Sequence, residues 1–197
     1  MRPRMAGAGV VLAAGIGLSS SAGAHPHVFV DTGFVPVFED DRLVGVETSW
    51  RFDPIYSDVV LSDFDRDGDG ALNADERSAL VGVFFAELGD YGYFTRVGID
   101  GEWHQSGIAS DFWVGAEGGI LSAGFTLRTD LPVADTVEFV PFDEEHFIAF
   151  QIANDTVIEA QASTTWACEA RRYDLVSWYF GPVTGHGMAC ERAGGTS

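Results

Sequence analysis

A run of acidic residues at positions 65–76 has the spacing of a calcium-binding loop. It places acidic side chains at the first, third and fifth positions, Gly70 at the sixth and a glutamate at the twelfth. Calcium takes about six to eight oxygen ligands at loose geometry, and short acidic side chains at alternate positions supply them. The predicted ligands, which include one backbone carbonyl, are Asp65, Asp67, Asp69, Ala71, Asn73 and Glu76.

The loop pattern fits in one register. A start at Asp63 would place Ala74 at the closing position, which requires a carboxylate. Leu72, at the eighth position, is expected to pack inward. An ordinary acidic turn would also be rich in Asp and Gly. Such a turn gives no reason for Glu76 at the twelfth position, so we predict a calcium site.

A second candidate metal site is the pair His25 and His27, separated by a proline. In an extended segment residues i and i+2 point to the same side, so both rings could reach one metal ion. Nitrogen ligands suit copper, nickel or zinc better than calcium. His146 follows three acidic residues and could face the same metal, but its spacing gives no support for this, and as a lone histidine it is expected to have no metal role. The alternative is a flexible polar tail.

The first 24 residues have the features of a signal peptide. Arg2 and Arg4 precede an apolar segment, and Ala22-Gly23-Ala24 matches a cleavage site. We therefore predict export to the periplasm, with His25 as the new N-terminus. The apolar segment is short for a bilayer, and no later apolar run reaches spanning length, so the processed protein is predicted not to span the membrane. Residues 25–197 have the length of a single domain.

The composition is strongly acidic. The chain has 30 Asp and Glu against 11 basic residues, all of them Arg, for a formal net charge of −19. Such a surface argues against nucleic acid and against anionic lipid as partners. It suits an environment rich in divalent cations or in salt.

The two cysteines, Cys168 and Cys190, are expected to form a disulfide that ties the C-terminal tail to a strand. Their spacing differs from the C-x-x-C of redox motifs. Metal ligation by the pair is the alternative.

The local patterns predict strands on both sides of a helical unit at 53–89. Asp53-Pro54 predicts the N-terminus of a helix, whose apolar face would hold Ile55, Val59, Val60 and Phe64. Asn73 and Glu76 have capping-box spacing, and Gly89 is the expected end of the second helix. No second loop of this kind follows, so the two helices are expected to pack on a sheet.

The remaining chain alternates in the manner of strands. Glu39-Asp40-Asp41 and Asp100-Gly101 predict hairpin turns, Thr156–Ala162 predicts a late strand after a turn at Asn154-Asp155, and the chain beyond Gly181 is expected to be irregular. We predict an α+β fold: a mostly antiparallel β-sheet domain with a single EF-hand-like helix–loop–helix inserted near its N-terminus.

The motifs of serine hydrolases, zinc proteases, P-loop proteins and dinucleotide-binding enzymes are absent from the sequence. We therefore predict that the protein is not an enzyme.

Several segments together resemble a bacterial family of uncharacterised proteins, domain-of-unknown-function family one thousand and seven. They are His25–Asp31, Trp50–Ser57, the loop core Asp67–Gly70 with Glu76, Phe142–Phe147 and the late cysteine pair. Members of the family are often labelled periplasmic components of ABC-type transport systems. The resemblance implies a periplasmic location and an association with nickel, cobalt or zinc handling.

These observations predict an exported, calcium-binding accessory protein that assists transition-metal uptake, with a membrane metal transporter as its partner. One alternative is a copper-dependent enzyme that holds its metal through an N-terminal chelate of His25. Another is a calcium-stabilised protein-interaction module without a transition metal.

Overall fold

A computed structural model describes residues 26–104, 108–152 and 166–192. Several predicted features lie outside these residues: the signal peptide at 1–24, His25, the turn Asn154-Asp155 and the strand Thr156–Ala162.

Ten strands and two α-helices are present in the described residues, with a short 3₁₀ segment (Leu88–Phe94) after the second helix. The helices are α1 (Pro54–Phe64) and α2 (Ala74–Phe84). The strands are β1 (Val28–Glu39), β2 (Arg42–Phe52), β3 (Thr95–Ile99), β4 (Glu102–His104), β5 (Ala109–Glu117), β6 (Ile120–Pro132), β7 (Thr136–Pro141), β8 (Ile148–Ile152), β9 (Trp166–Ser177) and β10 (Gly181–Arg192).

The strands form two five-stranded sheets. Sheet A has the order β5-β6-β2-β1-β8, and sheet B has the order β4-β3-β7-β10-β9. Neighbouring strands are antiparallel except β1 and β8, which are parallel. The prediction of a mostly antiparallel β-sheet domain with few helices is confirmed.

The core lies between the two sheets because inward-facing residues alternate along the strands. In β1 every second residue from Val28 to Phe38 is buried. Phe34 of sheet A stacks on Phe139 of sheet B with ring centroids 5.6 Å apart, and both rings are almost fully buried. Phe38 likewise stacks on Trp166 at 4.3 Å. These contacts join the sheets at more than one level.

The predicted hairpin turns are present. Asp40 has a φ of 51° between β1 and β2. Asp100 and Gly101 have φ of 49° and 86° between β3 and β4, as expected of a two-residue turn that requires positive φ.

The predicted irregular tail beyond Gly181 is wrong, because β10 is a twelve-residue strand between β7 and β9. Its glycines make room for close neighbours. A Cβ on Gly187 would lie 2.5 Å from the Phe139 carbonyl oxygen, and one on Gly185 would lie 2.4 Å from a Leu175 methyl group. The glycines therefore mark tight packing within sheet B.

Cys168 and Cys190 form the predicted disulfide, with an S–S distance of 2.07 Å. The two residues are directly paired across β9 and β10. The bridge therefore links two neighbouring strands of sheet B, where the sequence indicated a tail and a strand.

Two details of the helices differ from the prediction. The second helix ends at Phe84, because the chain turns at Phe85 and buries that ring against Phe112 at 4.6 Å. Gly89 lies in the 3₁₀ segment instead of capping the helix. In α1, Ile55 and Val59 are exposed, although the sequence placed them on the apolar face of the helix.

The buried residues of α1 are Ser57 and Leu61. The Ser57 hydroxyl accepts a hydrogen bond from the Leu121 N–H of β6 at 3.0 Å, which draws this face of the helix onto sheet A. No helix in the described part of the chain is long and apolar enough to cross a membrane.

Candidate metal site

The helix α1 leads into the loop at residues 65–76, called the acidic loop below, and the start of this helix is tied to sheet A. Asp53 caps the helix, because its Oδ1 accepts hydrogen bonds from the N–H groups of Ile55 (2.9 Å) and Tyr56 (3.0 Å). Its Oδ2 accepts from the Phe29 N–H of β1 at 2.9 Å. Desolvation raises the pKa of Asp53, but the three N–H groups outweigh it and hold the pKa below its ordinary value. One carboxylate thus connects strand and helix.

The acidic loop begins where α1 ends, with the Asp65 N–H bonded to the Leu61 carbonyl at 2.9 Å. The Asp65 carboxylate accepts from the N–H groups of Gly68 (2.8 Å) and Gly70 (2.9 Å). Both glycines have positive φ, 71° and 80°. The backbone therefore wraps around the first carboxylate of the loop, as the glycine positions predict.

The end of the loop is the start of α2. Asn73 Oδ1 accepts from the N–H groups of Asp75 and Glu76, and Glu76 Oε2 accepts from the Asn73 N–H at 2.9 Å. This is the capping box expected from the sequence. Glu76 Oε1 accepts from the Arg66 N–H at 2.8 Å, and Leu72 is buried as predicted. The loop is therefore closed on itself by the buried Glu76 side chain.

Three of the predicted ligands converge. Carboxylate oxygens of Asp65, Asp67 and Glu76 lie within 4.8 Å of one another. Asp69 lies outside this group, and its Oδ1 accepts from the Ala71 N–H at 2.8 Å. Asn73 Oδ1 caps α2. The loop thus brings together the carboxylates of its first, third and twelfth positions.

The charges of the group favour a cation. The Gly70 N–H, with those of Gly68 and Asp69, lowers the pKa of Asp65, so this carboxylate is ionised at neutral pH. For Asp67 the Asp69 N–H lowers the pKa, but desolvation and repulsion from the Asp69 and Glu76 carboxylates outweigh it, and the pKa is raised. A bound cation would reduce the repulsion between these carboxylates. The ligand atoms of the group are all hard oxygens, which fits calcium or magnesium in preference to a soft metal.

Within the described residues, no histidine belongs to a group of three side chains that could hold a metal ion. His27 is exposed, its N–H donates to the Phe147 carbonyl at 2.8 Å, and its ring lies 5.0 Å from the Phe147 ring. His146 has a φ of 58° and packs on Phe180 at 5.5 Å. Across residues 26–104, 108–152 and 166–192, one group of three His, Cys, Asp or Glu side chains could hold a metal ion, and it consists of Asp65, Asp67 and Glu76.

Sequence reasoning missed Ser57, which positions the site without being a ligand. Its hydroxyl donates to the Asp53 carbonyl at 2.7 Å and accepts from the Leu121 N–H. A lone serine in a helix gives no signal of this role, because the β6 partner is 64 residues away.

A comparison with protein-family models matches residues 10–174 to one model, described as a protein of unknown function (DUF1007). The chain belongs to DUF1007. The match covers both helices and the acidic loop, so the candidate metal site of this DUF1007 protein lies within the family domain. No curated protein matched the DUF1007 chain in a separate search.

Proposed function

We propose that this protein is an exported, non-enzymatic accessory protein whose 65–76 loop binds calcium in an EF-hand-like site. The observation that carries the proposal is the convergence of Asp65, Asp67 and Glu76 within 4.8 Å, between two helices that the loop itself caps. Export to the periplasm is supported by the disulfide, since such bonds persist in oxidising compartments.

Calcium acts as a structural clip in this proposal. The loop joins α1 to α2. Ser57 of α1 and Phe85, directly after α2, both contact sheet A. An ion held by carboxylates from both ends of the loop would fix the two helices relative to each other. Extracellular calcium modules work at dissociation constants of roughly 10⁻⁴–10⁻³ M, which is sufficient where calcium is abundant.

The test is calorimetric titration of the whole chain with calcium, comparing wild type with Glu76→Gln. Glutamine still serves in a capping box, so this change removes a ligand charge while keeping the start of α2. Mutation of a residue that only hydrogen-bonds to a metal ligand typically lowers metal affinity roughly 10- to 100-fold. Loss of a direct ligand should lower calcium affinity by at least as much.

Asp63→Asn is the matched control. Asp63 is an exposed acid at the end of α1, two residues before the loop, and it lies outside the binding register. This variant should bind calcium as the wild type does. Equal weakening by both changes would show that the loop attracts cations through its overall charge and has no specific calcium site. Absence of binding heat at millimolar calcium would overturn the proposal.

Transition-metal handling is the second part of the proposal, with nickel, cobalt or zinc as the metal and a membrane metal transporter as the partner. Its support is the pair His25 and His27 and the resemblance described above. The exposed ring of His27 is available to a metal.

Titration of the processed chain with zinc, nickel and cobalt should show binding that His27→Ala weakens at least about tenfold. His186→Ala, at an exposed histidine of β10, should leave it unchanged. Equal affinities in both variants would remove this part of the proposal and leave the calcium site standing.

A further inference from the structure

A cavity of ≈ 280 Å³ lies between the two helices and sheet A. Its walls come from β1, β2, β8, α1, α2 and the 3₁₀ segment. Voids larger than a water molecule are few in native interiors. An apolar cavity of about 150 Å³ in another protein stays dry and binds benzene, so this one is large enough for a small molecule.

The lining determines the chemistry of an occupant. Every side chain that lines the cavity is apolar or aromatic, and the polar groups among them are the Tyr56 hydroxyl and the Trp50 N–H. A charged molecule would find no counter-charge there, and burying an unpaired charge is costly. The net charge of −19 adds long-range repulsion of anions. The occupant must therefore be neutral.

The aromatic rings of the wall favour an aromatic occupant. The Trp50 ring lies 5.8 Å from Phe150, 6.4 Å from Phe94 and 6.3 Å from Phe52, in tilted and edge-on arrangements. Aromatic rings prefer such geometries at centroid distances of about 4.5–7 Å. A further ring placed in the cavity would extend this array.

The cavity has an entrance. Two of its lining residues, Val83 of α2 and Phe147 before β8, are 66% and 52% exposed. They form an apolar rim where the cavity meets solvent. An α-helix with its side chains is about 10–12 Å across, so a whole helix does not fit inside a space of this volume.

We propose that this cavity binds a small neutral aromatic molecule of roughly one to two rings. The site uses residues of both helices but none of the carboxylates of the acidic loop. It is therefore a separate site, and its test does not depend on calcium binding.

The test is an NMR titration of the methyl-labelled whole chain with ethylbenzene as probe, with and without millimolar calcium. Saturable shifts of the Val28, Val60 and Val83 methyl groups are expected under at least one of the two conditions. Benzoate, which has a similar ring and a negative charge, should leave these methyl groups unshifted.

Val60→Phe fills the cavity and should weaken ethylbenzene binding at least about tenfold. Val59→Phe adds the same ring one residue away, on the exposed face of α1, and should bind as the wild type does. If Val60→Phe does not fold, the contrast between ethylbenzene and benzoate in the wild type decides. Absence of saturable shifts under both conditions, equal shifts with benzoate, or equal binding by the two variants would overturn the proposal.

Discussion

Single carboxylates in this protein each hold several backbone N–H groups from distant segments. Asp53 joins β1 to α1, and Asp100 joins the β3–β4 turn to the start of β7. Asp100 accepts hydrogen bonds from the N–H groups of Ala134 (2.9 Å), Asp135 (2.9 Å) and Thr136 (2.8 Å). Ionised carboxylates make stronger hydrogen bonds than neutral groups do. Each of these carboxylates therefore stabilises the junction between the two segments that it joins.

Asp100 should make stability depend on pH in the acid range. Desolvation raises its pKa, but the three N–H groups and Arg192 outweigh it and hold the pKa below the ordinary 3.8. A lowered folded-state pKa gives stability that is fully present above the unfolded-state value and is lost as pH falls through the folded-state value. Asp100→Asn keeps the positive φ, which asparagine tolerates, and should cost about 1 kcal/mol at pH 7.

Urea unfolding of metal-stripped protein in calcium-free buffer, at pH 7, 5 and 3, measures this effect without calcium. The difference between wild type and Asp100→Asn should stay constant from pH 7 to 5 and shrink below about pH 4. A difference that is the same at all three pH values would show that the charge of Asp100 has no part in it.

At the scale of elements, the helical unit is attached to sheet A by a buried polar contact as well as by apolar packing. Ser57 is fully buried, and its hydroxyl satisfies the Leu121 N–H at the start of β6. Aromatic rings complete the attachment, with Phe85 lying 4.6 Å from Phe112 and 6.0 Å from Phe125. The acidic loop is thereby held at a fixed place on the sheet.

Ser57→Ala should destabilise the protein by about 1–3 kcal/mol, because it leaves the buried Leu121 N–H without its acceptor. Ser62→Ala is the control, since Ser62 is an exposed serine of the same helix and donates to the Val59 carbonyl. That change should stay within about 0.5 kcal/mol of wild type. Urea unfolding measures both, and faster amide exchange at Leu121 in Ser57→Ala would assign the effect to this contact. Equal stabilities would show that the Ser57 contact does not contribute to the attachment of α1.

Local patterns predicted elements where the signal was contained in a few neighbouring residues. The N-cap of α1, the capping box of α2 and the two-residue turn at Asp100-Gly101 depend on backbone φ values and on hydrogen bonds over short separations. Local patterns gave wrong predictions where contacts with residues distant in sequence determine the structure. Gly185 and Gly187 suggested an irregular tail, yet they are required by the contacts of β10 with Leu175 and Phe139.

At the scale of the molecule, two sheets share one core while sheet A also carries the helices. In sheet B, the Cys168–Cys190 disulfide covalently links the neighbouring strands β9 and β10. Cys190 is fully buried, and Arg192 two residues later lies over the Trp166 ring at 5.1 Å. The disulfide therefore secures the end of β10 next to the packing of Phe38 on Trp166.

Removal of the disulfide by the double change Cys168→Ala and Cys190→Ala should lower the free energy of unfolding by about 3 kcal/mol. The bond closes a loop with a sequence separation of 22, which restricts the unfolded chain. Reduction of the wild type should lower stability by a similar amount, with urea unfolding as the measurement. Unchanged stability in both cases would show that the strand pairing of β9 and β10 needs no covalent support.

The sequence by itself determined the register of the acidic loop, its capping residues, the strand-rich fold and the disulfide pair, because each depends on residue types at short spacing or on a unique pairing. The tertiary structure alone decided that Ser57 joins α1 to β6, that α2 ends at Phe84, and that an apolar cavity lies between helices and sheet. Each of these depends on contacts between segments far apart in the chain. Hydrophobic burial is non-directional, so a one-dimensional pattern shows which residues are apolar and leaves their partners open.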